Sequence, residues 1–285
     1  MTEPWIFPPE RVTIVGVLNV TPDSFSDGGR FVRADAPPAV EAAVAEGLRL
    51  VAAGAHVLDV GGESTRPGAR PVPPAQQLAR TLPVVEGLAK SLSVPIAIDT
   101  RSAEVAAAVL GAGAALVNDV SGFRHDAALP GVVARAGGAA ILGHLRGIPE
   151  RMQESIAFDD VLREVGCELA ESIRRAEQAG IGRDRLVVDP GIGFGKSTRQ
   201  NLELLANVGS LGRMLGLPVL VGPSRKGFLG ELTGDPPRGR DTATHAACAV
   251  AVFAGANAVR VHDVAGVRRA VQVAEALRAA RRTGL

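Results

Sequence analysis

Eight short apolar runs recur along the chain, each followed by a longer helical stretch, and this alternation restricts the fold more than any other feature. The runs cover residues 12–17, 55–60, 94–98, 115–118, 139–142, 185–188, 218–221 and 256–261. They are continuous rather than alternating, which is the pattern of strands buried on both faces. Segments 39–53, 75–90, 103–110, 159–179, 199–215, 242–254 and 264–281 are rich in helix formers, with a weaker pattern at 125–136. Five helical stretches run into the same stop signal: Ala53-Gly54, Ala112-Gly113, Ala136-Gly137, Ala179-Gly180 and Ala254-Gly255. Glycine there takes the left-handed conformation that ends a helix. Eight β-then-α units favour a closed parallel barrel over a doubly wound sheet. No linker or charge block divides the chain. Residues 1–285 therefore read as one domain, a (β/α)8 TIM barrel of the α/β class.

Charge excludes some functions. The 31 Lys and Arg nearly cancel 30 Asp and Glu, so the chain lacks the one-sided field of a nucleic-acid or membrane-surface binder. Any cationic site must be local. Cys167 and Cys248 are the only cysteines, with no Cys-x-x-Cys pair, so neither a disulfide framework nor a thiolate zinc site is expected. The N-terminus has no apolar signal core, and the longest apolar stretch, 246–259, is shorter than the ~18 residues a membrane span needs. A soluble cytoplasmic protein is the expectation.

In a barrel the chemistry sits where strands end and βα loops begin. Each of the eight runs ends in polar or ionisable residues: Asn19 and Asp23; Asp59, Glu63 and Arg66; Asp99 and Arg101; Asn118 and Asp119; His144; Asp189; Ser224, Arg225 and Lys226; and Arg260, His262 and Asp263. Asp59 and Asp119 are the candidates for merely satisfying buried backbone. Asp99, Asn118 and Asp189 can read the edge of a heterocycle bearing N–H donors. Arg66, Arg225, Lys226, Arg260 and His262 are cationic or potentially so, and guanidinium forks bind phosphate bidentately. The mouth thus suits a ligand with a hydrogen-bonding aromatic end and an anionic phosphate end.

Three familiar patterns fail. The run Gly191-Ile192-Gly193-Phe194-Gly195-Lys196-Ser197 lacks the first glycine of a P-loop, where Pro190 stands, and has Lys196 where a dinucleotide fingerprint needs glycine. The run Gly222-Pro223-Ser224-Arg225-Lys226 ends in Lys, not the Gly of a nucleophile elbow. His56, His125, His144, His245 and His262 show no His-Glu-x-x-His spacing, and His56 and His245 read as packing or surface residues.

Segments 19–29, 63–68, 189–196, 224–226 and 260–263 together resemble the signature segments of the dihydropteroate synthase family, in its order and spacing. The resemblance covers nearly the whole chain. It implies condensation of 6-hydroxymethyl-7,8-dihydropterin pyrophosphate with p-aminobenzoate, by an SN1-like path. It implies that Asp99, Asn118, Asp189 and Lys226 hold the pterin. Thr65, Arg66, Arg260 and His262 would bind pyrophosphate, and Asn19 the accompanying Mg2+. Phe25, Thr65, Pro67, Ser224, Lys226 and Gly227 would form the aminobenzoate pocket. Asp99, Asp189, Lys226 and Arg260 would be catalytic, and the protein a homodimer. The same barrel serves methyltetrahydrofolate–corrinoid methyltransferases and non-catalytic pterin-binding paralogues. A methyltransferase has no need of the pyrophosphate clamp, and a dead paralogue would be expected to lose Asn19, Asp23, Thr65 or Arg66; all are present. Two positions depart from the family. Gly143 precedes His144 where many relatives have Met packed on the pterin, leaving Leu145 or Arg146 to compensate. Gly227 stands where many have a Ser that donates to the aminobenzoate carboxylate, leaving backbone N–H groups for that task.

Overall fold

Each apolar run becomes a strand. A computed structural model describes residues 6–21, 40–64, 68–148, 150–154 and 156–282. The strands are β1 (Thr13–Asn19), β2 (Val57–Gly61), β3 (Ile96–Asp99), β4 (Leu116–Asp119), β5 (Ala139–Gly143), β6 (Leu186–Asp189), β7 (Leu220–Val221) and β8 (Ala258–Val261). All pairings are parallel, in the order β6-β5-β4-β3-β2-β1-β8-β7. The ends of this sheet meet through a Val188–Val219 bridge, where Val188 N donates to Pro218 O at 3.1 Å. The sheet is therefore a nearly closed TIM barrel.

The helices are α1 (Val40–Ala52), α2 (Pro74–Ser91), α3 (Ala103–Gly111), α4 (Leu129–Arg135), α5 (Val161–Gln178), α6 (Thr198–Ala206), α7 (Val208–Leu215), α8 (Gly227–Thr233), α9 (Asp241–Ala254) and α10 (Val264–Arg282). All five glycines expected to end helices have positive φ, from 64° to 120°. Three helices differ from expectation. Segment 199–215 is two helices, because Asn207 (φ −111°, ψ 17°) leaves the helical region between α6 and α7. Helix α4 starts at Leu129, not 125: the Asp126 carboxylate accepts from Ala103 N and Ala128 N, holding the preceding residues as a loop. Helix α8 was not foreseen, since seven residues are too few to show a period.

Two apolar layers explain the continuous runs. Alternate strand residues face opposite ways. Ile14, Leu18, Leu58, Val60, Ile98, Val117, Leu142 and Val188 pack in a shell that includes helix residues such as Leu50, Val85, Leu169 and Val267. Val15, Val57, Ala97, Leu116, Ala139, Ile141, Val187, Leu220 and Ala258 pack with one another inside the barrel. Phe7 joins this inner layer and closes its floor. No helix among the described residues is long and apolar enough to cross a membrane. Truncating the buried ring in Phe7→Ala should cost about 3–5 kcal/mol of unfolding free energy. Urea unfolding checks this, and a loss below about 1 kcal/mol would show that the floor tolerates a void.

Candidate active site

The inner layer changes character one step along each strand. Two residues beyond the floor residues Val57, Ala97, Leu116, Val187 and Ala258 come Asp59, Asp99, Asn118, Asp189 and Arg260. The strand period of two carries each of these to the same inner face, one rung nearer the strand C-termini. An apolar floor thus carries a polar layer.

Arg260 binds that layer together. Its Nε donates to Asp59 Oδ2 at 2.5 Å and its Nη2 to Asp99 Oδ2 at 2.8 Å. Asn118 Nδ2 donates to the same Asp59 oxygen at 2.9 Å. Asp59 Oδ1 is buried with no partner among the described residues. Asp59 is therefore no mere backbone satisfier: pairing Val17 with Asp59 and Asp59 with Ala97 turns it inward onto Arg260. Asp119 does have the structural role, accepting from Ser121 N, Ser121 Oγ and Phe123 N at 2.7–2.8 Å. Asn19 ends β1 beside the cluster; Asn19 Oδ1 and Asp99 Oδ2 lie 3.6 and 3.7 Å from where a Cβ on Gly61 would sit.

Asp189 ends β6, and its Oδ1 accepts from Gly191 N at 2.7 Å. Lys226 approaches from the β7 side, its Nζ 3.7 Å from the Phe194 ring centroid. Gly193 (φ 81°) makes room for it, since a side chain there would begin 2.8 Å from Lys226 Cδ. Ser224 Oγ lies 2.9 Å from His262 Nδ1 and accepts from His262 N at 3.2 Å. Gly227 opens α8, and a Cβ there would meet nothing within 4 Å.

Burial dominates the electrostatics. It pushes the Asp99 carboxyl up from 3.8 to about 7 against the pull of Arg260, with Asp59, Glu63 and Asp119 adding to the rise. Burial also raises Asp189, opposed by the Gly191 N–H, Lys226, Arg260 and Lys196. Arg260 is held above its ordinary value because Asp59, Asp99 and Asp189 outweigh its own burial. Arg260 thus stands near Asp99 and Asp189, two carboxyls whose ionisation burial opposes, and ligand N–H groups would lower that cost.

The structure brings Asn19, Asp99, Asn118, Asp189, Lys226, Arg260, Ser224, His262 and Gly227 to the C-terminal end of the barrel. Phe25, Thr65, Arg66 and Pro67 lie outside the described residues. Arg225 does not join the cations of the mouth. Its backbone is left-handed (φ 58°), and Asp241 on α9 takes its Nε and Nη2 at 2.7 and 2.8 Å. Arg146 does not compensate for Gly143 either: it pairs with Glu164 and Glu168 and lies 3.9 Å over the Phe158 ring. A Cβ at Gly143 would fall 2.5 Å from Val120 Cα, so this loop geometry requires glycine. Phe194 enters the sequence reading only as part of a Gly-rich run, and Glu168 does not enter it. An aromatic within a Gly-rich loop was the available signal for the first, and the Glu164/Glu168 spacing of four on one helix face for the second.

Asn19 at the end of β1 offers one amide oxygen, the kind of protein ligand Mg2+ takes when a phosphate and waters complete its shell. Among the described residues no cluster of three His, Cys, Asp or Glu forms a protein cage.

Fold and site define a TIM barrel with a buried, charged hydrogen-bonding layer at the C-terminal ends of its strands. The family model for pterin binding enzymes matches residues 15–262. Dihydropteroate synthase of Mycobacterium leprae is 46% identical over 260 residues, covering 89% of each chain. The Xanthomonas albilineans dihydropteroate synthase with 4-aminobenzoic acid superposes with a TM-score of 0.85 at 45% identity, over 94% of each chain. The same organism's enzyme in complex with 7,8-dihydropteroate gives 0.82 at 42%, again over 94% of each. The chain belongs to the pterin binding enzymes, and within them to the dihydropteroate synthases, a family of transferases.

The raised Asp99 carboxyl has a consequence for stability. Between about pH 4 and about pH 7 the unfolded chain has released this proton while the folded chain still holds it, so the group's contribution to stability declines as pH rises through that window. Asp99→Asn stays neutral, and its urea-unfolding free energy should fall less steeply across the same window. Equal slopes in the two proteins would place the proton elsewhere.

Proposed function

We propose that this chain condenses 6-hydroxymethyl-7,8-dihydropterin pyrophosphate with p-aminobenzoate, releasing pyrophosphate and 7,8-dihydropteroate. The observation that carries this reading is the Arg260–Asp59–Asp99 cluster, with Asp189 close enough to feel both Arg260 and Lys226. Bound 4-aminobenzoic acid and 7,8-dihydropteroate in the Xanthomonas albilineans enzyme support the two substrate ends.

Asp99, Asn118 and Asp189 accept from and donate to the pterin edge, and Lys226 closes one side. Arg260 and His262, with Thr65 and Arg66, hold the diphosphate. Phe25, Thr65, Pro67, Ser224, Lys226 and Gly227 border the aminobenzoate. Asn19 would help hold Mg2+, which would supply charge neutralisation for the leaving group.

The step is SN1-like. The bond between the pterin methylene and the diphosphate oxygen breaks, and both electrons leave with the oxygen. Arg260 and His262 stabilise the departing charge. Asp99 and Asp189, as carboxylates, stabilise the cation left on the methylene. The aniline nitrogen then gives its lone pair to the methylene and loses a proton to solvent. No strong base is needed, because a bonded anilinium is acidic. Exclusion of water from the site would keep it from capturing the cation.

We read the whole of residues 1–285 as one cytoplasmic domain that pairs with a second copy. Val250 and Phe253 on α9 and Val273 and Leu277 on the adjoining α10 are exposed apolar side chains of the kind such a pairing covers. Light scattering should give twice the 29.3 kDa chain mass; a monomer would remove the pairing.

A coupled assay with both substrates and Mg2+ should show dihydropteroate formation, suppressed by chelation of the metal. Asp99→Asn should fold normally and lose at least about a hundredfold in turnover, the scale of one electrostatic contact to the transition state. Near-parental turnover would remove Asp99 from the mechanism.

A further inference from the structure

The Lys196 side chain lies beneath the β6–α6 loop at 3% exposure. Its Nζ donates to Gly191 O at 3.0 Å and Phe194 O at 2.9 Å, and sits 3.0 Å from His144 Nδ1. An ammonium has three N–H donors, and three acceptors lie within 3.0 Å of this one, with the His144 carbonyl oxygen farther off at 3.5 Å. His144 is 1% exposed, with Nε2 3.1 Å from Glu168 Oε2. Glu168 also accepts from Arg124 at 3.0 Å and from Arg146 at 2.7 Å. A carboxylate at Nε2 places the ring proton there and leaves Nδ1 as an acceptor. Burial and Lys196 hold His144 down at about 4, so the ring stays neutral.

Nothing in the proposed reaction uses Lys196 itself. The loop it holds is another matter. Asp189 begins that loop, and Gly193 and Phe194 form the bed on which Lys226 lies. The outer side of the loop is tied by Asn201, which accepts from Gly193 N at 2.7 Å and donates to Ser197 O at 2.9 Å. On the inner side the carbonyls of Gly191 and Phe194 converge on Lys196.

We propose that Lys196 is a positioning residue whose ammonium, anchored on the neutral His144 ring, draws the β6–α6 loop into the shape that presents Asp189 and the Phe194–Lys226 wall to the pterin. This rests on the pterin-site reading above and deepens it. Loss of one proton leaves two donors for three acceptors, so the grip loosens when Lys196 turns neutral. Around its head group stand His144 from the end of β5, Asp189 from β6, Glu168 from α5, Arg146 from the segment after β5 and Lys226 from the segment after β7. Burial is the largest influence and brings Lys196 down to about 7; Asp189 and Glu168 oppose it, Lys226 and Arg146 reinforce it. The pterin KM therefore rises with pH above neutrality.

The test is steady-state kinetics of the full chain with both substrates and Mg2+, from about pH 6 to about pH 9. Lys196→Met keeps the length and removes the charge. At the acid end its pterin KM should be about tenfold above the parent's, the scale of a charge-assisted hydrogen bond, with kcat within about threefold. The alkaline rise in KM shown by the parent should be absent from the variant. A Met variant with parental KM and a parental pH profile overturns the proposal. A parent that forms no dihydropteroate sinks the functional reading instead, so the two failures are distinct. A measurement on the unaltered protein covers a variant that does not fold. Calorimetric binding of 6-hydroxymethyl-7,8-dihydropterin near pH 8 in two buffers of different ionisation enthalpy should show net proton uptake, and none would overturn the role.

Discussion

Arg260 lies inside a barrel with carboxylates from two other strands in contact with its guanidinium. Ions removed from water to such a place cost several kcal/mol each, and only close pairing with further hydrogen bonds offsets that cost. Asp59 and Asp99 supply the pairing, and Asn118 adds a bond to Asp59. The four residues come from β8, β2, β3 and β4. They meet because β1 joins β2 to β8 in a single curved sheet. The cluster and the barrel therefore depend on one another: without curvature the charges are unpaired, and without pairing the polar layer is too costly to bury.

Below that layer the inner cluster is apolar, down to Phe7, with Thr13 the buried polar residue on the same face of β1, its hydroxyl donating to Ile6 O. The contrast has a functional reading. A rigid floor supports a set of hydrogen-bonding groups whose positions the strands dictate, while the βα loops above remain free to vary. Asp189 differs from the other members because a loop amide, Gly191 N, also orients it. Its geometry is then sensitive to the shape of the β6–α6 loop, and so to Lys196, His144 and Glu168 beneath it. The departures at Gly143 and Gly227 have unlike causes. The first leaves no room for a side chain beside Val120, whereas the second opens onto free space at the start of α8.

Much of this was legible in the chain. The eight apolar runs showed as strands because burial on both faces leaves an unbroken apolar signal, and the Ala-Gly stops marked helix ends because φ there is positive. Asp99, Asn118, Asp189, Arg260 and His262 stand out because each lies at or just past the end of an apolar run. Asp59 and Asp119 read alike as candidates for satisfying buried backbone, and only Asp119 does so. A buried Asp looks the same in sequence whether it caps a turn, as Asp119 does, or faces a guanidinium some two hundred positions away. Arg225 was grouped with the cations of the mouth, yet its left-handed backbone sends it to Asp241. Helix α8 and the break at Asn207 were missed because each is shorter than the window in which a helical period becomes visible.

The sequence by itself determined the number of βα units, the end of the barrel that carries the chemistry, and most of the residues at its mouth. These depend on hydrophobic period and on position along a strand, both of which are local. Tertiary structure alone decided which charges meet: Arg260 with Asp59 and Asp99, Arg225 with Asp241, Lys196 with His144. Electrostatic pairing acts through space across distances that the linear chain does not encode, and only closure of the sheet brings such partners within hydrogen-bonding reach.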